Sequence, residues 1–259
     1  MNILEIQGLT VNFGGLTAVS KLDLAVKPGE FFGLIGPNGA GKTTVFNLIS
    51  GVFPPTGGRI TFSDTDITGA SSHSIARLGL ARTFQITALF QSFSVLENVL
   101  LGTYGIVRVN PISALLNTQR ANNTEKEQRG RALELLRFLG IDRLRDEIAR
   151  NLPLGHQRIL ELAIALASTP KMLLLDEPFS GLSAEESREM ISRIQKIRER
   201  KTTVILVEHQ IRIVMGLCDR IAVLNFGRKI AEGTFAQVSR DPEVIKAFLG
   251  TKRYAAERS

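Results

Sequence analysis

One cysteine in 259 residues, Cys218, removes two kinds of chemistry at the outset. An internal disulfide needs two thiols and a cysteine-built metal site needs more, and such sparing use suits a reducing compartment. No stretch approaches the roughly 18 consecutive apolar residues of a spanning helix. The first residues, MNILEIQGLTVNFGG, show no basic segment followed by an apolar run, so the chain is expected neither to cross a membrane nor to be exported. Internal repeats and low-complexity tracts are missing as well. The charge is lopsided without being patterned: 32 lysines and arginines against 25 acids leave +7. Arginines scattered over solvated faces produce that total as readily as a surface for nucleic acid, anionic lipid or phosphates, so charge alone decides nothing.

What is present is a core. With 44% hydrophobic and 22% charged residues, the chain fits one large α/β domain or two lobes around a common core. ILEIQGL, KLDLAV and RITFSD alternate apolar and polar residues, as half-buried antiparallel strands do, and place a small β layer near the N-terminus. FFGLI, MLLLD, TVILVE and RIAVL are short continuous apolar runs, the pattern of strands buried on both faces of a parallel sheet. Helical patterns separate them. Between Phe84 and Leu152 strand signals vanish and helical ones such as SVLENVLLGTYG and EKEQRGRALELLRFLGI take over. The reading is a single domain over 1–259, with a core and β layer from 1–84 and 153–259 and a helical lobe from 85–152. Within that lobe LLNTQRANNTEKEQRG is expected as a solvated loop running into a helix.

The strongest local signal is GPNGAGKTT: Gly36, Pro37, Asn38, Gly39, Ala40, Gly41, Lys42, Thr43 and Thr44. It follows a buried strand and opens a helix. In that setting the glycines let backbone N–H groups close around a phosphate, and the helix N-terminus turns its positive end to the same anion. Lys42 then reaches the terminal phosphates and Thr43 offers a hydroxyl to Mg²⁺. The second signal is KMLLLDEP, where a buried strand ends in Asp176 and Glu177. Strand ends are where ligands sit in open α/β sheets. Successive side chains on a strand point in different directions, so Asp176 is read as holding Mg²⁺ and Glu177 as facing an attacking water as general base.

These motifs, in this order, resemble the ATP-binding subunits of ABC transporters over nearly the whole chain. RTFQ places Gln85 at that family's Q-loop glutamine, SGLS (Ser180 to Ser183) at its D-loop, VEHQ places His209 at its switch histidine, and VNFGG offers Phe13 to stack on adenine. The resemblance implies a P-loop NTPase fold of ABC type, with a mostly parallel core sheet, an N-terminal antiparallel β layer and a helical subdomain. It implies ATP hydrolysis with Mg²⁺ held by Thr43, Gln85 and Asp176, and catalysis by Glu177, His209 and Gln85. It further implies two cassettes meeting head to tail on integral membrane permease subunits, peripherally at the cytoplasmic face, with an extracytoplasmic solute-binding protein acting indirectly and no role for nucleic acid. FGGLTAV, IARLGLARTFQ, LFQSFSVLENVLLG and DPEVIKAFLG are similar to the cassettes of branched-chain amino acid importers, a likeness shared with importers of amides and urea.

LPLGHQ occupies the family's signature, usually LSGGQ and often LSYGEQ in this group. Leu152, Gly155 and Gln157 fit, and Leu154 falls where the group varies. Pro153 replaces serine, and His156 replaces an acid or amide. Serine would offer a hydroxyl and an N–H to the γ-phosphate across the dimer, and proline offers neither. A bland alternative is that Pro153 merely starts the helix. Ser183 stands where the D-loop usually ends in Asp or Asn, and Ile164 where arginine is common. A heterodimer with a related cassette that supplies a complete signature is therefore the favoured arrangement.

Overall fold

The computed structural model describes residues 1–83, 89–104 and 119–248. In chain order its elements begin with β1 (Leu4–Phe13), β2 (Leu16–Val26), β3 (Phe31–Ile35), α1 (Lys42–Ile49), β4 (Gly57–Phe62), β5 (Thr65–Asp66), α2 (Ser72–Arg77), β6 (Leu80–Arg82) and α3 (Val95–Tyr104). There follow α4 (Gln119–Leu139), α5 (Leu154–Ala167), β7 (Met172–Asp176), α6 (Ala184–Lys196), β8 (Thr203–Val207), α7 (Ile211–Leu217), β9 (Arg220–Asn225), β10 (Arg228–Gly233) and α8 (Phe235–Val238).

The alternating N-terminal segments form an antiparallel sheet in the order β2-β1-β4-β5. Leu4, Ile6, Leu22, Leu24, Ile60 and Phe62 are buried while the residues between them are more exposed, which is the pattern one solvated face imposes. The continuous apolar runs become β3, β7, β8 and β9, parallel neighbours in a six-stranded sheet ordered β10-β9-β3-β8-β7-β6. Every residue of β3, β7 and β8 is buried. Alternate side chains enter different layers: Leu173, Leu175, Val204 and Leu206 join the helices, whereas Leu174, Ile205 and Val207 join α1 and the antiparallel sheet. A strand covered on both faces has no polar side to show.

Three strands are not legible in the pattern, the first being the two-residue β5, which closes the antiparallel sheet beside β4. β6 is three residues long, too short for a period to register, yet it pairs parallel to β7 and extends the sheet. β10 pairs antiparallel to β9 across the two-residue turn Phe226-Gly227. The polar tract before residue 131 is helical from Gln119 onward, because α4 runs 21 residues. The helical layer consists of α3, α4 and α5, where Val95, Val99, Leu135, Leu136, Leu160 and Ala163 share one core. Since α5 leads directly into β7, this layer is tied to the strand that ends in Asp176.

Candidate nucleotide site

After β3 the chain turns through Gly36 to Gly41 before α1 begins. Gly36 has a φ of 154°, and a Cβ there would stand 2.2 Å from the Leu224 carbonyl oxygen. No larger residue fits without moving β9. Gly41 caps α1 in the left-handed region at φ 99°; no side chain caps that end and no acid stands in its first turn. The positive end of the helix is thus left for an anion. The loop is held from outside as well. The Gly227 N–H donates to the Ala40 carbonyl at 3.0 Å and the Ser20 N–H to the Gly227 carbonyl at 2.9 Å, so the β9–β10 turn ties the loop to β2. Lys42 folds back, its ammonium donating to the carbonyls of Gly36 at 2.8 Å and Pro37 at 3.0 Å. Burial lowers its pKa, opposed by the carboxylates of Glu177, Asp176 and Glu208.

A cavity of about 590 Å³ is lined by Asn38 to Thr44, by Phe13, Leu16, Thr17 and Ala18 around the β1–β2 turn, by Glu177 and by Phe226. That volume lies within the range of small-molecule sites. Phe13 meets Phe53 edge-on at 5.3 Å and stays half exposed, which leaves a ring face for a base.

Asp176 ends β7 with its side chain wholly buried. Its Oδ2 accepts from Arg82 Nη2 at 2.9 Å, and its Oδ1 has no hydrogen-bond partner among the described residues. Desolvation pushes its carboxyl pKa up, with Arg82 pulling the other way. Glu177 departs from the expectation of simple strand alternation. It lies outside β7 in the left-handed region at φ 48°, its N–H donating to the Val207 carbonyl at 2.9 Å. A backbone turn after the last strand residue, and not the pleat, separates the two carboxylates. His209, just after β8, is exposed, with Nδ1 3.4 Å from Glu208 Oε1, and it does not line the cavity. Gln85 lies outside the described residues.

A divalent cation fits these residues. Asp176 offers a buried oxygen in need of a partner, behind the cavity and not among its lining residues, and Thr43 borders the cavity. Among the described residues no three of His, Cys, Asp and Glu cluster as a metal site.

The signature segment lies at the start of α5. Pro153 is the residue before the helix, extended at φ −55° and ψ 154°, one position earlier than the helix-starting role weighed above. The Gly155 N–H donates to Glu186 Oε1 at 3.1 Å, and Gln157 Nε2 donates to the Leu152 carbonyl at 2.9 Å. Leu152 is buried and Leu154 is partly exposed, while His156 is half-buried. Ser183 caps α6: its hydroxyl accepts from the Glu186 N–H, and its own N–H donates to Glu186 Oε2 at 2.8 Å. One carboxylate therefore bridges the D-loop and the signature. Ile164 packs against the helical core.

Arg82, Glu208, Phe226 and the Leu16–Ala18 segment escape motif reasoning. Glu208 is fully buried, and its Oε1 accepts from the His209 and Gln210 N–H groups at 2.9 and 3.1 Å. Burial raises its carboxyl pKa against the pull of those N–H groups. Its signal was a charged residue closing an apolar strand, the same signal that Asp176 gives.

The model of the family described as ABC transporter matches residues 19–180, and that of the branched-chain amino acid ATP-binding cassette transporter matches residues 228–253. The chain is 41% identical over 249 residues to the high-affinity branched-chain amino acid transport ATP-binding protein LivG of Escherichia coli strain K12, covering 96% of this chain and 98% of that one. The crystal structure of the ADP conformation of an ABC transporter cassette matches with a TM-score of 0.84 at 30% identity, over 96% of this chain and 99% of that one. A dimeric cassette in a post-hydrolysis state bound to ADP and Pi matches at 0.74 and 25% identity, over 89% and 98%. Fold, cavity and likeness along nearly the whole length agree, and the chain belongs to the ABC transporter family as one of its ATP-binding, ATP-hydrolysing cassettes.

Proposed function

We propose that this chain binds Mg-ATP in the cavity over α1 and, paired with a second cassette, hydrolyses it to drive uptake of branched-chain amino acids through membrane permease subunits. The observation that carries this reading is that the uncapped start of α1, Lys42 and Glu177 border one cavity of nucleotide size. Phe13 stacks on the base, and the N–H groups of Asn38, Gly39 and Gly41 to Thr44, with the Lys42 ammonium, hold the phosphates. Thr43, Asp176 and Gln85 hold the cation. When bound, Mg²⁺ supplies positive charge to the phosphate oxygens. Glu177 takes a proton from water as that water's oxygen bonds to the γ-phosphorus; the bond to the bridging oxygen breaks and ADP leaves. His209 donates to the γ-phosphate, and Leu152 to Gln157 serve the partner's ATP.

The solute assignment is supported by the likeness to LivG, a branched-chain amino acid transport protein, and by the C-terminal family match. By its likeness to transport cassettes, the chain sits peripherally on its permeases at the cytoplasmic face, and a solute-binding protein acts on the far side. Reconstitution with permeases and partner cassette into vesicles tests this. ATP-dependent uptake of leucine, isoleucine or valine is expected, and uptake of urea or amides in their place would reassign the solute.

A further inference from the structure

Arg82 opens the RTFQ stretch, which was read for Gln85 alone, and its guanidinium joins three elements. On β6 it stands in register with Leu174, two residues before Asp176. The ion pair is buried, with only 7% and 0% of the two side chains exposed. Its two terminal nitrogens go different ways. Nη1 donates to Asn47 Oδ1 at 2.7 Å and to Ser50 Oγ at 3.0 Å, at the end of α1, and Nη2 donates to Asp176 Oδ2 at 2.9 Å. The Phe46 ring lies 5.6 Å from the guanidinium carbon. One planar fork thus ties β6, the helix behind the phosphate loop, and the strand that ends in the acid.

For Asp176 the consequence is directional. A carboxylate held at Oδ2 cannot turn without breaking a buried, charge-assisted bond. Oδ1, which has no hydrogen-bond partner among the described residues, therefore keeps a fixed direction. We propose that Arg82 is a positioning residue for the divalent cation: it clamps Asp176 by one oxygen so that the other alone is presented to the cation, and it fixes that oxygen relative to the helix that carries Thr43. A lysine could not substitute, because a single ammonium lacks the fork that serves α1 and Asp176 in one plane. The inference rests on the nucleotide reading above.

The test measures the affinity of the full-length chain for a fluorescent ATP analogue in EDTA and again in excess Mg²⁺. The electron paramagnetic resonance spectrum of Mn²⁺ with nucleotide and the thermal midpoint are recorded alongside. Arg82→Met is expected to cut the Mg²⁺-dependent gain in affinity by about tenfold to a hundredfold, the scale of a lost hydrogen bond between charged groups. The affinity in EDTA should stay unchanged, and the Mn²⁺ spectrum should differ from that of the wild type. Arg82→Lys should recover the thermal midpoint but not the gain, and it decides the matter if Arg82→Met does not fold. Equal losses in EDTA and in Mg²⁺ would reduce Arg82 to scaffold and overturn the proposal, as would an unchanged gain in the variants that fold. A wild-type chain that binds no nucleotide in either condition would bring down the nucleotide reading and this inference with it.

Discussion

At the start of α1 the helix donors face open space: no side chain caps them, no acid stands in the first turn, and a nucleotide-sized cavity borders them. At the start of α5 one of the equivalent donors is already engaged. Pro153 has no N–H, and Gly155 donates its own to Glu186. The N–H groups of Ser183 and Gly155 and the Ser183 hydroxyl hold the Glu186 carboxyl below its usual pKa, the Ser183 N–H first among them. It therefore stays ionised where a phosphate would be wanted. Both are helix N-termini, but one is built to receive an anion and the other already holds one. In the head-to-tail pair that we propose, this difference predicts a cassette with a strong phosphate loop and a weak signature.

The largest effects are expected on the strong side. Lys42→Ala removes charge-assisted contacts to phosphate and should weaken binding of a fluorescent ATP analogue by about a hundredfold. Glu177→Gln should leave that binding intact and slow turnover by at least about a hundredfold, the scale of a lost general base. If steady-state hydrolysis in the assembled complex is unchanged in Glu177→Gln, water is activated elsewhere and the strong side has been misread.

The weak side gives the next largest changes. Purified alone, this chain must pair with its own signature, so its hydrolysis should run about tenfold to a hundredfold below that of the complex with its partner, given about 1.5 to 3 kcal/mol for each lost contact to a charged group. Pro153→Ser should recover part of the difference. An isolated chain that already works at the rate of the full complex, and is indifferent to Pro153→Ser, would erase the asymmetry. Glu186→Ala is the finer probe. It frees the Gly155 N–H and so should raise the activity of the isolated chain, while the lost cap on α6 lowers the thermal midpoint. Activity and midpoint falling together would show that Glu186 serves the fold alone.

Much of the strong side is legible in the sequence, because a phosphate loop is a local structure: the glycines, the lysine and the helix that follows are contiguous, and the strands around it carry clear periods. The core layers are legible for the same reason. Contacts between distant segments are not. Nothing near Gly155 announces that Glu186, 31 residues on, will take its N–H. Nor does RTFQ reveal that Arg82 reaches Asp176, 94 residues away. The turn that sets Glu177 apart is also hidden, since a glutamate in the left-handed region has no composition signal, and β6 is too short to show a period.

The smallest prediction concerns strain, which also differs between the two sides. From Leu152 to Gln157 no residue has a positive φ, whereas the phosphate side holds Glu177 at 48° and Phe226 at 45°. Phe226 opens a two-residue hairpin turn with both φ values positive, a geometry that suits Asn-Gly and costs a bulky residue about 1 to 2 kcal/mol. The residue is 84% exposed, so packing offsets little of that cost. The backbone hydrogen bonds of Gly227 to Ala40 and Ser20 keep the turn in place regardless. Phe226→Gly should relieve the strain but return about 0.4 to 1 kcal/mol of chain entropy to the unfolded state. The net gain is then about 0.5 to 1 kcal/mol, a rise of about 1 to 4 °C in the thermal midpoint for a chain of this size. Strain retained beside a cavity points to use of the residue, and Phe226 lines this one. Affinity for the ATP analogue should therefore fall as the midpoint rises, because the nucleotide loses a ring from its wall. A higher midpoint with unchanged affinity would make Phe226 a bystander, and a lower midpoint would mean that the turn holds no strain at all.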